Sequence, residues 1–193
     1  MSTYPNAALL LSAAHPRHFP EDSGAETAFA GRSNAGKSSA INALTGRRSL
    51  ARTAKTPGRT RLLNFFELAP GCRIVDLPGY GYAEASAAER ASWGPMIDAL
   101  GARASLKGLF LIVDSRRGLL EGDETLIAWA EGVQCPVHVL LSKSDKLKRT
   151  ALTQILAATK KALGGRATVQ AFSAVDGTGL EDARRQLHRW FQK

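Results

Sequence analysis

The stretch Gly31-Arg32-Ser33-Asn34-Ala35-Gly36-Lys37-Ser38 lies between a short apolar run, residues 27–30, and a segment of helical spacing, residues 37–44. It fits G-x-x-x-x-G-K-[ST] in the strand-then-helix setting that gives this pattern its meaning. Backbone N–H groups in such a turn converge on the positive end of the following helix, which suits a chain of phosphates. Side chains at Gly31 and Gly36 are expected to obstruct the approach of that chain. Lys37 is expected to reach the β- and γ-phosphates, and the Ser38 hydroxyl to take a place on Mg²⁺.

Three further stretches follow in order. Asp76-Leu77-Pro78-Gly79 comes directly after the candidate strand Arg73-Ile74-Val75, so an acid stands at the end of a strand beside the expected metal. Asp76 there can hold Mg²⁺ through water, while the Gly79 N–H faces the γ-phosphate. Ser142-Lys143-Ser144-Asp145 ends the apolar run 137–141. A carboxylate at Asp145 can accept from N1–H and the exocyclic amine of guanine, donors that adenine does not offer together. The stem of Lys143 can lie along the base, and Phe172-Ser173-Ala174 can present backbone N–H to guanine O6. Between the first two motifs, Lys55-Thr56-Pro57-Gly58-Arg59-Thr60 offers hydroxyls to a metal. Thr60 is the expected second hydroxyl ligand and Thr56 the alternative, with Pro57-Gly58 marking a turn.

With 193 residues and 44% hydrophobic content the chain can bury one substantial core. Apolar runs at 27–30, 62–68, 73–76, 108–114, 137–141 and 168–172 alternate with helical spacing at 37–44, 85–100, 123–131, 151–163 and 179–190. This predicts an α/β fold with a mainly parallel six-stranded sheet covered by helices on both faces. Trp93, Trp129 and Trp190 read as packing residues. Cys72 and Cys135 read as reduced thiols buried as small hydrophobes, which fits the cytoplasm. Residues 7–14 resemble the core of a signal peptide, but no Lys or Arg precedes them and the run is short. No apolar run approaches the ~20 residues of a membrane span, and no membrane association is expected. The net charge of +9 is uneven, with Arg47, Arg48, Arg52, Lys55, Arg59 and Arg61 in one stretch without an acid. That concentration points to a polyanionic partner.

Taken together, GRSNAGKSS at Gly31 to Ser39, TPGRTRLLNFF at Thr56 to Phe66, DLPGYGYA at Asp76 to Ala83 and SKSDKL at Ser142 to Leu147 resemble the EngB family, also called YihA or YsxC. These are bacterial ribosome-assembly GTPases of the Era-like class, and the resemblance covers almost the whole chain. It implies one Ras-like P-loop GTPase domain over residues 1–193, with about the first 24 as an N-terminal extension. It further implies a nucleotide site lined by Gly31 to Ser38, by Gly58, Arg59, Thr60, Arg61 and Leu62, by Asp76 to Gly79, by Ser142 to Asp145 and by Phe172 to Ala174. Ser38 and Thr60 are then the Mg²⁺ ligands, and Lys37, Asn34 and Gly79 the residues nearest the chemistry. The partner it implies is the large ribosomal subunit or its precursor, rRNA and ribosomal proteins alike, bound by a monomer in the cytoplasm. A role in cell division and septation comes with the family.

Three positions shape the expected activity. Ser142 stands where the family usually has Thr, keeping the hydroxyl but losing the methyl that braces the loop, so weaker nucleotide affinity is expected. Tyr80 stands where Ras-like enzymes place a water-positioning Gln, so slow GTP hydrolysis is expected. Asn34 occupies the position that, in potassium-activated relatives, helps hold K⁺ against the phosphates. The alternatives are a GTPase domain of the tRNA-modification type, which needs additional domains, and another regulatory GTPase switch such as a membrane-trafficking one.

Overall fold

A computed structural model describes residues 3–51, 62–80 and 87–193, with the backbone alone over 87–93. The strands are β1 (Ala8–Ala13), β2 (Ala25–Gly31), β3 (Leu63–Ala69), β4 (Cys72–Asp76), β5 (Leu106–Asp114), β6 (Val137–Ser142) and β7 (Ala167–Ala171). They form one sheet in the order β1-β3-β4-β2-β5-β6-β7. From β4 to β7 all neighbours run parallel, while β3 is antiparallel to both β1 and β4. The sheet is mainly parallel as the sequence predicts, with seven strands rather than six.

The additional strand is β1, which falls inside the stretch taken as an N-terminal extension and partly resembling a signal-peptide core. It lies at the sheet edge with β3 as its neighbour, and Leu9 and Leu10 are 54% and 46% exposed. Its register on β3 shifts between Leu9 and Leu11. A bulged edge strand buries too little to impose a period-two pattern, so the alternation that marks a strand is missing from Ala8–Ala13.

The helices are α1 (Lys37–Thr45), α2 (Ala87–Gly101), α3 (Glu121–Gly132), α4 (Arg149–Leu163) and α5 (Leu180–Phe191). β5 shows why they divide between two faces. Leu109, Leu111 and Val113 join a core with Met96, Ile97 and Leu100 of α2 and Leu126, Ile127 and Ala130 of α3. Phe110 and Ile112 join a second core with Ile41 and Leu44 of α1 and Ala183, Leu187 and Trp190 of α5. Covering both faces makes β5 apolar at every position from Leu109 to Val113, as a central parallel strand requires. Trp190 meets Phe110 edge-on, with ring centroids 4.8 Å apart, and the bare backbone of Gly108 makes room, since a Cβ there would come within 2.2 Å of the indole. Trp129 packs half-buried against the first core, and the side chain of Trp93 lies outside the described residues. Cys135 is buried, and burial pushes its thiol up to about 12. Cys72 is only half-buried.

The end of the sheet away from the phosphate-type turn is closed by ion pairs. Glu26 of β2 is fully buried and accepts from Arg73 Nε at 2.9 Å and from Arg103 Nε at 2.7 Å and Nη2 at 2.8 Å. Arg103 also lies over the rings of Phe19 and Phe65, 5.7 and 5.9 Å from their centroids. The Asp22 carboxylate accepts from Ala104 N and Ser105 N, each at 2.9 Å. Residues 19–24 therefore stitch the chain ahead of β2 to the turn that follows α2. Replacing Glu26 with Ala strands two desolvated guanidinium groups. A loss of about 3–5 kcal/mol of folding stability is expected, read as a lower denaturant midpoint at unchanged slope.

Candidate nucleotide-binding site

β2 delivers the chain at Gly31 and α1 carries it away from Lys37. Two left-handed residues make the reversal, Asn34 at φ 64° and Gly36 at φ 103°. Gly36 is the N-cap of α1 without a side-chain cap, and the first turn of the helix has no acid. That leaves its orphan N–H groups and dipole open to an anion. Gly31 has a further reason for being glycine besides the approach of a ligand. A Cβ there would lie 2.6 Å from the carbonyl oxygen of Ile112 in β5, so the sheet itself forbids a side chain. Gly36 is required by its φ.

Two neighbouring segments grip this turn. After β4, Leu77 N donates to Phe29 O at 3.0 Å, Tyr80 N to Gly31 O at 3.4 Å, and Ser33 N to Tyr80 O at 2.9 Å. Gly79 rests against Ser33, where a Cβ would meet the Ser33 hydroxyl at 2.9 Å. The Lys37 ammonium forms an ion pair with the Asp76 carboxylate, their side chains 12% and 9% exposed. Burial raises the Asp76 pKa, and Lys37 and the Asn64 amide oppose it only in part. Asn64 lies opposite Asp76 in the β3–β4 pair and accepts from Ser12 Oγ of β1 at 2.7 Å. The edge strand thereby braces the acid.

The second grip comes from the end of β6. Ser142 is buried, and its hydroxyl donates to Ala35 O, with Val113 O also at 3.1 Å. The hydroxyl that serine keeps thus reaches the phosphate-type turn. Lys143, left-handed at φ 57°, sends its ammonium to Asn34 O at 2.6 Å and Asp114 Oδ2 at 2.9 Å. Asp114 ends β5 and also binds Arg116 through Nε at 2.9 Å and Nη2 at 2.7 Å. Sequence reasoning passed over Asp114, although an acid ending a parallel strand is the same signal that marked Asp76.

Ser144 N donates to Phe172 O at 3.2 Å, and Ser173 Oγ donates to Asp145 Oδ1 at 2.7 Å. The second oxygen of Asp145 faces Lys146 at 3.2 Å. The hydrogen bond from Ser173, with Lys146 behind it, lowers the Asp145 pKa and keeps the group an acceptor. Ala174 follows on the surface. Of the residues named from sequence, Gly31 to Ser38, Asp76 to Gly79, Ser142 to Asp145 and Phe172 to Ala174 are gathered at the carboxyl ends of the parallel strands. Leu62 lies just ahead of β3, half-buried. Gly58, Arg59, Thr60 and Arg61, with the alternative ligand Thr56, lie outside the described residues, as do residues 81–83. Ser38 and Asp76, one residue from and in contact with Lys37, are hard oxygen donors of the kind Mg²⁺ takes.

Residues 26–143 match the family described as 50S ribosome-binding GTPase. The probable GTP-binding protein EngB of Coxiella burnetii (strain CbuG_Q212) is 47% identical over 98% of this chain and 94% of its own length. That of Vibrio parahaemolyticus is 46% identical over 97% of this chain and 88% of its own. Among solved structures, that of a probable GTP-binding protein engB superimposes with a TM-score of 0.67 at 24% identity, covering 87% of this chain and 99% of the other.

The Asp114 clasp has a pH signature. Hydrogen bonds from Arg116, with Lys143 behind them, hold its carboxyl well below the usual carboxylate range. A carboxyl depressed on folding adds stability above its ordinary value of about 4 and loses it as pH falls through the folded value. Asp114→Asn is therefore expected to be less stable than the parent at pH 7. The gap should close as both are taken below about pH 4, which thermal unfolding across a pH series measures. A gap independent of pH would show that the charge is not what stabilises the loop.

Proposed function

This chain belongs to the EngB family of GTP-binding proteins, and from that membership we propose that it is a Mg²⁺-dependent GTPase acting in assembly of the large ribosomal subunit. Membership of a GTPase family implies GTP binding and hydrolysis. The observation that carries the site is the convergence of the segments after β4 and at the end of β6 on the backbone of residues 31–35, with Lys37 drawn to Asp76. Such a cradle holds donors in place before a phosphate arrives, so little reorganisation opposes binding or reaction. Bound Mg²⁺ supplies charge neutralisation on the phosphate oxygens. Ser38 and Thr60 would hold it, with Asp76 behind. Turnover is slow because Tyr80 replaces the water-positioning glutamine, and Asn34 suits K⁺ as a helper ion.

Base selection rests on Asp145, kept anionic and aimed by Ser173. GTP and GDP are expected to bind well and ATP poorly. Asp145→Asn should weaken GTP and favour xanthosine nucleotides, whose extra carbonyl suits an amide donor. Equal affinity of the parent for ATP and GTP in a titration would exclude the assignment.

For the partner, support comes from the family's description as 50S ribosome-binding, from the net charge of +9, and from the acid-free basic stretch spanning Arg47 and Arg61. We read this stretch as RNA-facing and responsive to nucleotide through Thr60. The cytoplasmic setting and the effect on cell division follow as consequences of ribosome supply. The chain is expected to co-sediment with large subunits or their precursors more strongly in a non-hydrolysable GTP analogue than in GDP. Binding should fall steeply with salt, and charge reversal at Arg52 and Lys55 should flatten that slope. Absence of co-sedimentation in every nucleotide state would overturn the ribosomal reading.

A further inference from the structure

Tyr80 follows the glycine of the Asp-x-x-Gly motif, and its side chain reaches the first turn of α3. Its hydroxyl donates to Asp123 Oδ1. Asp123 is buried, and its second oxygen accepts from Leu120 N, at the start of the same helix, at 2.8 Å. Gly122 between them has no side chain where the ring lies, and a Cβ there would stand 3.1 Å from both Cδ2 and Cε2 of Tyr80. Three consecutive features of α3, a cap N–H that fixes the acid, a bare position that admits the ring and a carboxylate that receives the hydroxyl, thus form a socket for one side chain. Burying a carboxylate is costly, and burial raises the Asp123 pKa despite its hydrogen bonds. A phenylalanine over an apolar α3 would fill the same space without that cost, so the polar pair serves something other than packing.

What it serves is visible in the main chain of Tyr80. The same residue pairs with Arg32 in a parallel bridge and closes onto both Gly31 and Ser33, and Gly79 beside it lies against Ser33 with no room for a Cβ. Its backbone is therefore clamped to the phosphate-type turn and its side chain to α3, and Gly79 sits immediately before this doubly held point. We infer that Tyr80 is a positioning residue for GTP hydrolysis. By bonding to Asp123 it sets where the Gly79 N–H stands relative to the terminal phosphate, a role distinct from the water orientation that a glutamine supplies at this position in Ras-like enzymes. GDP lacks that phosphate, so the anchor discriminates GTP from GDP and gives α3 a direct mechanical link to the nucleotide.

The inference rests on the chain being a GTPase, which family membership implies. The test uses the full-length parent, Tyr80→Phe, Asp123→Asn and the double variant. It measures affinity for GDP and for a non-hydrolysable GTP analogue, and single-turnover hydrolysis at saturating GTP. Each single variant is expected to lose about tenfold in hydrolysis rate and about tenfold in affinity for the GTP analogue. GDP affinity should stay within about twofold, and the double variant should be no worse than the poorer single one because both remove one interaction. Equal losses for GDP and the GTP analogue would reduce the pair to a structural contact and overturn the inference. So would unchanged hydrolysis, or additive losses in the double variant. Should Tyr80→Phe fail to fold, Asp123→Asn reports from the other end of the same bond. A parent that does not hydrolyse GTP would instead remove the GTPase reading, an outcome separate from any comparison between parent and variants.

Discussion

Everything at the candidate site depends on one backbone reversal, in which the chain leaves β2 at Gly31 and enters α1 at Lys37 through two left-handed residues. A turn this tight exposes several peptide groups that neither sheet nor helix can satisfy. The rest of the site can be described as the set of groups that satisfy them. Tyr80 takes the N–H of Ser33, Ser142 gives a proton to the carbonyl of Ala35, and Lys143 does the same for Asn34. The carbonyls are thereby occupied while N–H groups at the start of α1 stay available, so the turn presents mainly donors. Its selectivity for anions follows from where its acceptors are spent.

Charge is arranged differently at the two ends of the sheet. Around Glu26 two guanidinium groups face one carboxylate, and aromatic rings and backbone carbonyls take up the remaining donors. Such a closed set holds the chain termini of β2, β4 and β5 in register. At the opposite end Lys37 and Asp76 form a single pair in which burial opposes the carboxylate's charge. A pair with that imbalance exchanges partners more readily when a stronger anion and a cation arrive, because the alternative contacts relieve the desolvation of both groups. One end of the sheet is built to stay as it is, the other to change.

The motifs were legible because phosphate and base recognition demand particular residue types at particular strand ends. Asp76, Lys37, Ser142 and Asp145 stand out even before any contact is known. The apolar runs of β5 and β6 were legible for the same kind of reason, since helices cover both faces. Three things were not. β1 lacks alternation because two of its three leucines, Leu9 and Leu10, face solvent. Glu26 reads as a surface acid, since nothing local announces two arginines 47 and 77 positions away. Asp123 reads as an ordinary helix-start acid, and its bond to Tyr80 joins residues 43 apart. Gly31 was recognised for an incomplete reason, since its neighbour in β5 is invisible without the sheet order. Local chemistry survives in one dimension, whereas partnership across the fold does not.

The position of β1 bears on how the molecule comes into being. It precedes its partner β3, which begins only at Leu63. At translation rates of roughly 5–20 residues per second, the leucine-rich segment emerges several seconds before its mate. Closing a loop of that length costs entropy that a bulged edge pairing repays poorly. The β1–β3 pairing is thus a weak starting point for the sheet compared with the adjacent parallel strands β2, β4 and β5. Since Ser12 reaches Asn64 and Asn64 reaches Asp76, this weakly paired edge strand is also the one that steadies the acid at the nucleotide end. The brace on Asp76 is complete only once β1 has paired with β3.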